Sequence, residues 1–96
     1  MTKQDLINEI SSKTKIEKAT VGKTVEALME TIKSSMIKNQ NIYLRSFGTF
    51  VVKKRAKKLA RNISKNTPVI IPEHFVPVFK PSKEFMNKVK TIKVKH

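Results

Sequence analysis

The chemistry open to this chain is set by where its charges fall. Its seven carboxylates, Asp5, Glu9, Glu17, Glu26, Glu30, Glu73 and Glu84, all lie outside the stretch from Thr31 to Pro72. That stretch carries ten cations: Lys33, Lys38, Arg45, Lys53, Lys54, Arg55, Lys57, Lys58, Arg61 and Lys65. Seven of the ten sit between Lys53 and Lys65, and such density without counter-charge points to phosphate binding rather than to an ordinary solvated face. Over the whole chain, 21 Lys and Arg against 7 Asp and Glu leave a formal net charge of +14. That charge repels itself in the compact state, and a polyanionic partner relieves it.

Enzymatic chemistry has few candidates. There are two histidines, His74 and His96, no cysteine, no glycine-rich phosphate loop, and too few carboxylates near either histidine for a metal. Glu73 beside His74 is the nearest thing to an acid–base pair, but adjacent residues of an extended segment point apart. The expectation is a protein with no catalytic residue, cofactor, metal or small-molecule substrate. Without cysteine, stability has to come from packing. No apolar run approaches the roughly 20 residues of a membrane span, and Met1-Thr2-Lys3-Gln4-Asp5 lacks the apolar stretch of a signal peptide. A cytoplasmic location with no membrane partner is expected.

The elements that must position these cations follow from periodicity. Thr2 and Asp5 form a weak capping box ahead of Leu6, Ile7 and Ile10, which predicts a helix over about 2–13. Val21, Val25, Leu28, Ile32 and Met36 recur at helical spacing and predict a longer second helix, its stripe widened by Ala19, Met29 and Ile37. This face is broader than one short helix can cover; either the β segment covers it or a second copy does, and its width favours the second copy. Gly22 inside this helix marks a close helix contact at a cost of about 1 kcal/mol.

After the turn at 38–41, Ile42-Tyr43-Leu44-Arg45 and Phe47-Gly48-Thr49-Phe50-Val51-Val52 read as a hairpin. From Lys53 the strand pattern continues with Lys53, Arg55, Lys57, Leu59, Arg61 and Ile63 on one face and Lys54, Ala56, Lys58, Ala60 and Asn62 on the other. Neither face is a core, so this ribbon must project from the body. Its tip is Asn62-Ile63-Ser64-Lys65-Asn66, and Thr67-Pro68-Val69-Ile70-Ile71-Pro72 returns with two prolines suited to an exposed edge. Phe75-Val76-Pro77-Val78-Phe79-Lys80 re-enters the body, and Pro81-Ser82 opens a last helix carrying Phe85, Met86 and Val89. A single domain over 1–90 is expected: a helical dimerisation region at 1–41, a sheet at 42–81 with its arm at about 53–75, a helix at 82–90, and a basic tail at 91–96.

This layout resembles the HU and integration host factor family of bacterial histone-like DNA-binding proteins. The resemblance is carried by Ser46-Phe47-Gly48-Thr49-Phe50, similar to the family's G-F-G-x-F turn, by Arg61-Asn62, by Ile71-Pro72 and by Pro77-Val78-Phe79-Lys80-Pro81. It implies an α+β fold: an intertwined dimer with two N-terminal helices, a three-stranded antiparallel sheet bearing a protruding β-ribbon arm, and a C-terminal helix. It further implies that the two arms embrace double-stranded DNA through the minor groove and bend it with little sequence preference, which places the protein on the nucleoid. In the family an R-N-P-x-T-G tip wedges a proline between base pairs; here it reads Arg61-Asn62-Ile63-Ser64-Lys65-Asn66, with Ile63 at the wedge position. Isoleucine is itself among the side chains that unstack base steps.

The expected DNA-binding residues are Arg45, Lys53, Lys54, Arg55, Lys57, Lys58, Arg61, Asn62, Ile63, Ser64, Lys65, Asn66, Lys80 and Lys83, with Lys3 a weaker candidate. The expected dimer interface combines Val21, Val25, Leu28, Ile32 and Met36 with Phe47, Phe50 and Phe79. The dimer is a homodimer or a pair with a related chain. Three rival readings remain: an RNA-binding or ribosome-associated basic protein, a sequence-preferring architectural protein like integration host factor, and an interaction protein whose arm binds an acidic partner. Phenylalanines at core-like positions, with none in the basic arm, argue against single-strand stacking.

Overall fold

The computed structural model describes residues 1–62 and 67–94. Two helices open the chain, α1 at Lys3–Thr14 and α2 at Lys18–Ile37. The Asp5 backbone N–H donates to the Thr2 hydroxyl at 3.3 Å and the Thr2 N–H donates to the Asp5 carboxylate at 2.9 Å, so the weak signal at residues 2–5 closes a complete capping box. Lys15, at φ 63°, ends α1 by returning its N–H to the Ser11 carbonyl. Asn39, at φ 62°, and Gln40 end α2 in the same manner on the carbonyls of Met36 and Ser35.

Five strands follow: β1 (Ile42–Leu44), β2 (Gly48–Arg55), β3 (Lys58–Asn62), β4 (Thr67–Ile71) and β5 (His74–Pro81); α3 (Lys83–Lys90) comes last. β1, β2 and β5 form an antiparallel sheet with β2 in the middle, and β3 and β4 form a separate two-stranded ribbon. One register runs through both: Gly48 faces Pro81, Arg55 faces His74, Lys58 faces Ile71 and Asn62 faces Thr67. The uninterrupted strand expected beyond Lys53 does lapse, for two residues on each limb, at Ala56-Lys57 and Pro72-Glu73. Pro72 has no N–H for the ladder, so pairing breaks there without a change of register.

Ser46 sits at φ 67°, where a side chain is strained and glycine is not; this is the first glycine position of the family's G-F-G-x-F turn. Its carbonyl accepts from the Ser82 hydroxyl at 3.0 Å, while the Ser82 N–H donates to Phe47, tying the start of α3 to the β1–β2 turn. Ser82 also caps α3 by accepting from the Phe85 N–H. Phe47, Phe50, Phe79 and Phe85 cluster here, with Phe47 and Phe79 centred 5.1 Å apart and Phe50 and Phe79 5.0 Å apart.

This chain has almost no interior of its own. Ile7 and Val21, at 6% and 4% exposure, are the only buried apolar side chains among the described residues. Val21, expected in the intersubunit face, is already buried within the single chain. The accessible surface is 8597 Å², against about 5600 Å² for a compact folded monomer of this mass. The radius of gyration is 18.8 Å, where about 12–13 Å is usual for such a length. Much of the excess is apolar: Leu28, Met29, Ile37, Leu44, Phe47, Phe75 and Phe79 are all exposed.

The two glycines are tolerant and intolerant of a side chain in turn. A Cβ on Gly48 would lie 2.6 Å from both the Lys80 carbonyl oxygen and a Phe79 ring carbon, whereas on Gly22 its nearest neighbour would be the Ile7 Cδ1 at an ordinary 3.8 Å. Gly48→Ala is expected to destabilise by about 2–3 kcal/mol, and Gly22→Ala to stabilise by about 1 kcal/mol, both read from urea unfolding midpoints at fixed protein concentration.

Candidate nucleic-acid interface

Strand alternation over a fixed register sorts the sheet into two unlike faces. Tyr43, Thr49 and Lys80, then Val51 and Val78, Lys53 and Val76, Arg55 and His74 share one face. Ile42, Phe50 and Phe79, Val52 and Pro77, Lys54 and Phe75 share the other. The first is the cationic face, and Tyr43, Lys53, Arg55, His74 and Lys80 are all exposed on it. The second carries the phenylalanine cluster and an apolar groove of about 630 Å³ between the sheet and the end of α2, lined by Ile32, Met36, Val52, Phe75 and Pro77 among others.

Lys53 and Lys80 share the cationic face, two pairing positions apart on either side of the Val51–Val78 pair. Repulsion from Lys80, and the ability of a neutral Lys53 amine to accept a hydrogen bond from the Lys80 ammonium, with smaller contributions from desolvation and Arg55, lower the Lys53 pKa from its usual value. Arg45 lies in the β1–β2 turn, beside Lys80 and Tyr43 around a shallow depression of about 270 Å³. Lys83 is the exposed first residue of α3. Lys57 and Lys58 are exposed where the ribbon leaves the body.

Other expected site residues are placed differently. Lys54 lies on the apolar side of the sheet and is ion-paired with Glu73 at 3.1 Å, so its charge is already partnered at the root of the arm. Lys3 is paired with Glu26. The backbones of Arg61 and Asn62 belong to β3 and pair with Pro68 and Thr67. Ile63, Ser64, Lys65 and Asn66 lie outside the described residues. Tyr43 and His74 share the cationic face but were not expected among the DNA-binding residues; only the register sets them beside Lys80 and Arg55.

The model of the family described as bacterial DNA-binding protein matches residues 1–90. The chain belongs to that family. DNA-binding protein HU of Thermotoga maritima is 36% identical over 90 residues, covering 94% of this chain and all of the relative. DNA-binding protein HU of Staphylococcus aureus is also 36% identical over 90 residues. Among solved structures, the cocrystal of Anabaena HU with DNA superposes with a TM-score of 0.88 at 28% identity, covering 96% of this chain and 100% of that one. HU from Thermotoga maritima superposes at 0.67 with 26% identity, covering 93% and 98%. The α+β fold of the HU family is thus that of this chain, and none of its described helices is long and apolar enough to cross a membrane.

The Lys53–Lys80 contact makes a sign-specific prediction for this member of the bacterial DNA-binding protein family. Removing the neighbouring cation favours the charged form of Lys53, so Lys80→Gln should raise its pKa. The check is an NMR titration of the Lys53 side chain; an unchanged midpoint would separate the two ammonium groups in solution.

Proposed function

We propose that this protein binds double-stranded DNA as a dimer, through the minor groove, with little sequence preference, and holds it bent. The observation that carries the reading is the cationic face of the sheet, running in one register from the body towards a carboxylate-free ribbon. Lys53, Arg55, Lys57, Lys58, Arg61, Lys65 and Lys80 neutralise phosphates and release counterions, a contribution that weakens steeply with salt. Arg45 and Lys83 extend the contact along the flanks, and Lys54 joins only if Glu73 releases it. Arg55 and Arg61 suit a narrow minor groove through their planar guanidinium groups. At the tip, Asn62, Ser64 and Asn66 accompany Ile63, whose insertion between base pairs unstacks one step at a cost of a few kcal/mol, offset by the phosphate contacts the bend permits.

A second copy of the chain supplies the missing interior. The surface excess of about 3000 Å² per chain exceeds the roughly 1000–2500 Å² per partner that most obligate homodimers bury. Leu28, at 54% exposure, half-buried Val25, Ile32 and Met36, and the phenylalanine cluster offer the contact. The relatives' names and the DNA in the Anabaena cocrystal support the choice of DNA over RNA or an acidic protein. In this role the chain is an architectural protein of the nucleoid and not an enzyme.

Two outcomes are expected. Leu28→Asp should dissociate the dimer and unfold much of the chain, seen together as a halved sedimentation mass and lost circular dichroism; a folded variant of unchanged mass would remove α2 from the interface. Ile63→Ala should reduce the bend of linear duplex, read by end-to-end energy transfer, more than it reduces affinity for duplex that is already kinked. Equal losses on both substrates would refute the wedge, and a parent chain that fails to retain duplex at low salt would refute the function.

A further inference from the structure

The cationic face of the sheet carries a histidine. His74 of β5 lies directly opposite Arg55 of β2 and is exposed. Its ring is held on one side: Nδ1 stands 2.9 Å from the Pro72 carbonyl oxygen, which is free of the ladder because strand pairing lapses at Pro72-Glu73. A carbonyl only accepts, so Nδ1 carries a hydrogen. The neutral ring then has no hydrogen left for Nε2 and presents a bare lone pair there. A second proton goes to Nε2 and turns that acceptor into a cationic donor, while the bond to Pro72 is kept.

The groups around this ring on its own face are cationic or uncharged. From β2, Arg55 faces it directly and Lys53 diagonally, and Lys80 lies farther along β5. Exposed Lys57 follows Arg55 where the limb leaves the sheet, and in the ribbon the pair Leu59 and Ile70 continues the face without charge. None of the sheet positions on this face is a carboxylate. The adjacent Glu73 is engaged at 3.1 Å by Lys54, which belongs to the opposite face. An anion from outside is therefore the group that would hold a second imidazole proton in place.

We propose that His74 is a proton-gated phosphate contact on the body of the protein, which tightens the hold on DNA as pH falls through the range where histidine gains its second proton. The inference rests on the proposed DNA-binding role of the cationic face and adds control by pH to it. Neutral His74 offers an anionic oxygen only the Nε2 lone pair, which repels it. Protonated, it donates a charge-assisted hydrogen bond from Nε2. A phosphate oxygen at Nε2 favours the protonated ring, so association takes up protons, and by reciprocity added protons favour association. Arg55 keeps its charge throughout this range and attracts phosphate at every pH; His74 adds its share only when protonated.

A histidine bonded to Pro72 can also serve only to steady the turn, so the test separates charge from shape. The full-length parent is compared with His74→Gln, neutral at every pH, and His74→Lys, a cation across the range, on one linear duplex over a series of salt concentrations. Lys53 and His96 are kept in all three proteins, so any titration of theirs is common to them. The parent is expected to bind about tenfold more tightly at about pH 5.5 than at about pH 8. Its slope of log affinity against log salt should steepen by about one to two over the same interval, with one histidine from each chain of the dimer. His74→Gln should lose most of both changes, and His74→Lys should hold the parent's low-pH affinity at the higher pH. A parent indifferent to pH overturns the inference, as does a glutamine variant that responds as the parent does. So does a parental gain with an unchanged salt slope, or a lysine variant that binds no better than the glutamine one at the higher pH, because the ring would then act through the turn and not on phosphate. A parent that retains no duplex at any pH in low salt is a distinct result, which removes the reading of the face itself.

Discussion

The offset that pairs Gly48 with Pro81 is the constraint on which the rest depends. Held without change to Asn62 and Thr67, it makes the sheet and the ribbon one continuous object despite the gap at Pro72. Because side chains alternate strictly across a strand, a slip of one residue between β2 and β5 would mix the faces, setting Lys53 and Arg55 on the side of Phe75 and Phe79 and Lys80 on the side of Phe50. Gly48 anchors this register. With no Cβ, it lets the Lys80 backbone and the Phe79 ring approach to distances that no other residue permits. The same contact thus locks the aromatic cluster on one side and the cations on the other.

The two faces then set two different demands. The cationic face gathers positive charge that the chain does not neutralise, since its described ion pairs, such as Lys13 with Glu9 and Lys88 with Glu84, lie mainly on helices, apart from Lys54 with Glu73 at the arm root. The opposite face exposes aromatic and aliphatic surface that a single copy does not bury. One face lacks an anion and the other lacks an interior. The DNA-bound dimer proposed above answers both, since a polyanion relieves the self-repulsion of the cationic face.

The Glu73–Lys54 pair shows how finely this division is drawn. Glu73 is the first carboxylate after the long acid-free stretch, and it falls where the ladder has lapsed beside Pro72. There it takes up Lys54, which alternation directs to the apolar side with Lys58 further along the same limb. The charge that would otherwise border exposed Phe75 is partnered, while its neighbours Lys53 and Arg55 stay open on the other side.

Much of this protein can be read from its residues alone. The capping pair Thr2 and Asp5, the stripe along α2, the order of strands and the acid-free arm are local in sequence, and propensity, periodicity and charge act locally. The turn from Ser46 to Phe50 and the proline-bearing return limb were enough to reveal the family, because motifs keep their spacing whether or not the chain is folded. What required tertiary structure was the meeting of distant residues. Lys53 beside Lys80, Lys54 taken by Glu73, Ile70 opposite Leu59 and the Phe79 ring over Gly48 all depend on pairing between limbs far apart in the chain. Val21 looked like any other member of its stripe, and only the packing of α1 onto α2 drew it inside. A sequence states which groups can interact; the register and the helix packing decide which of them do.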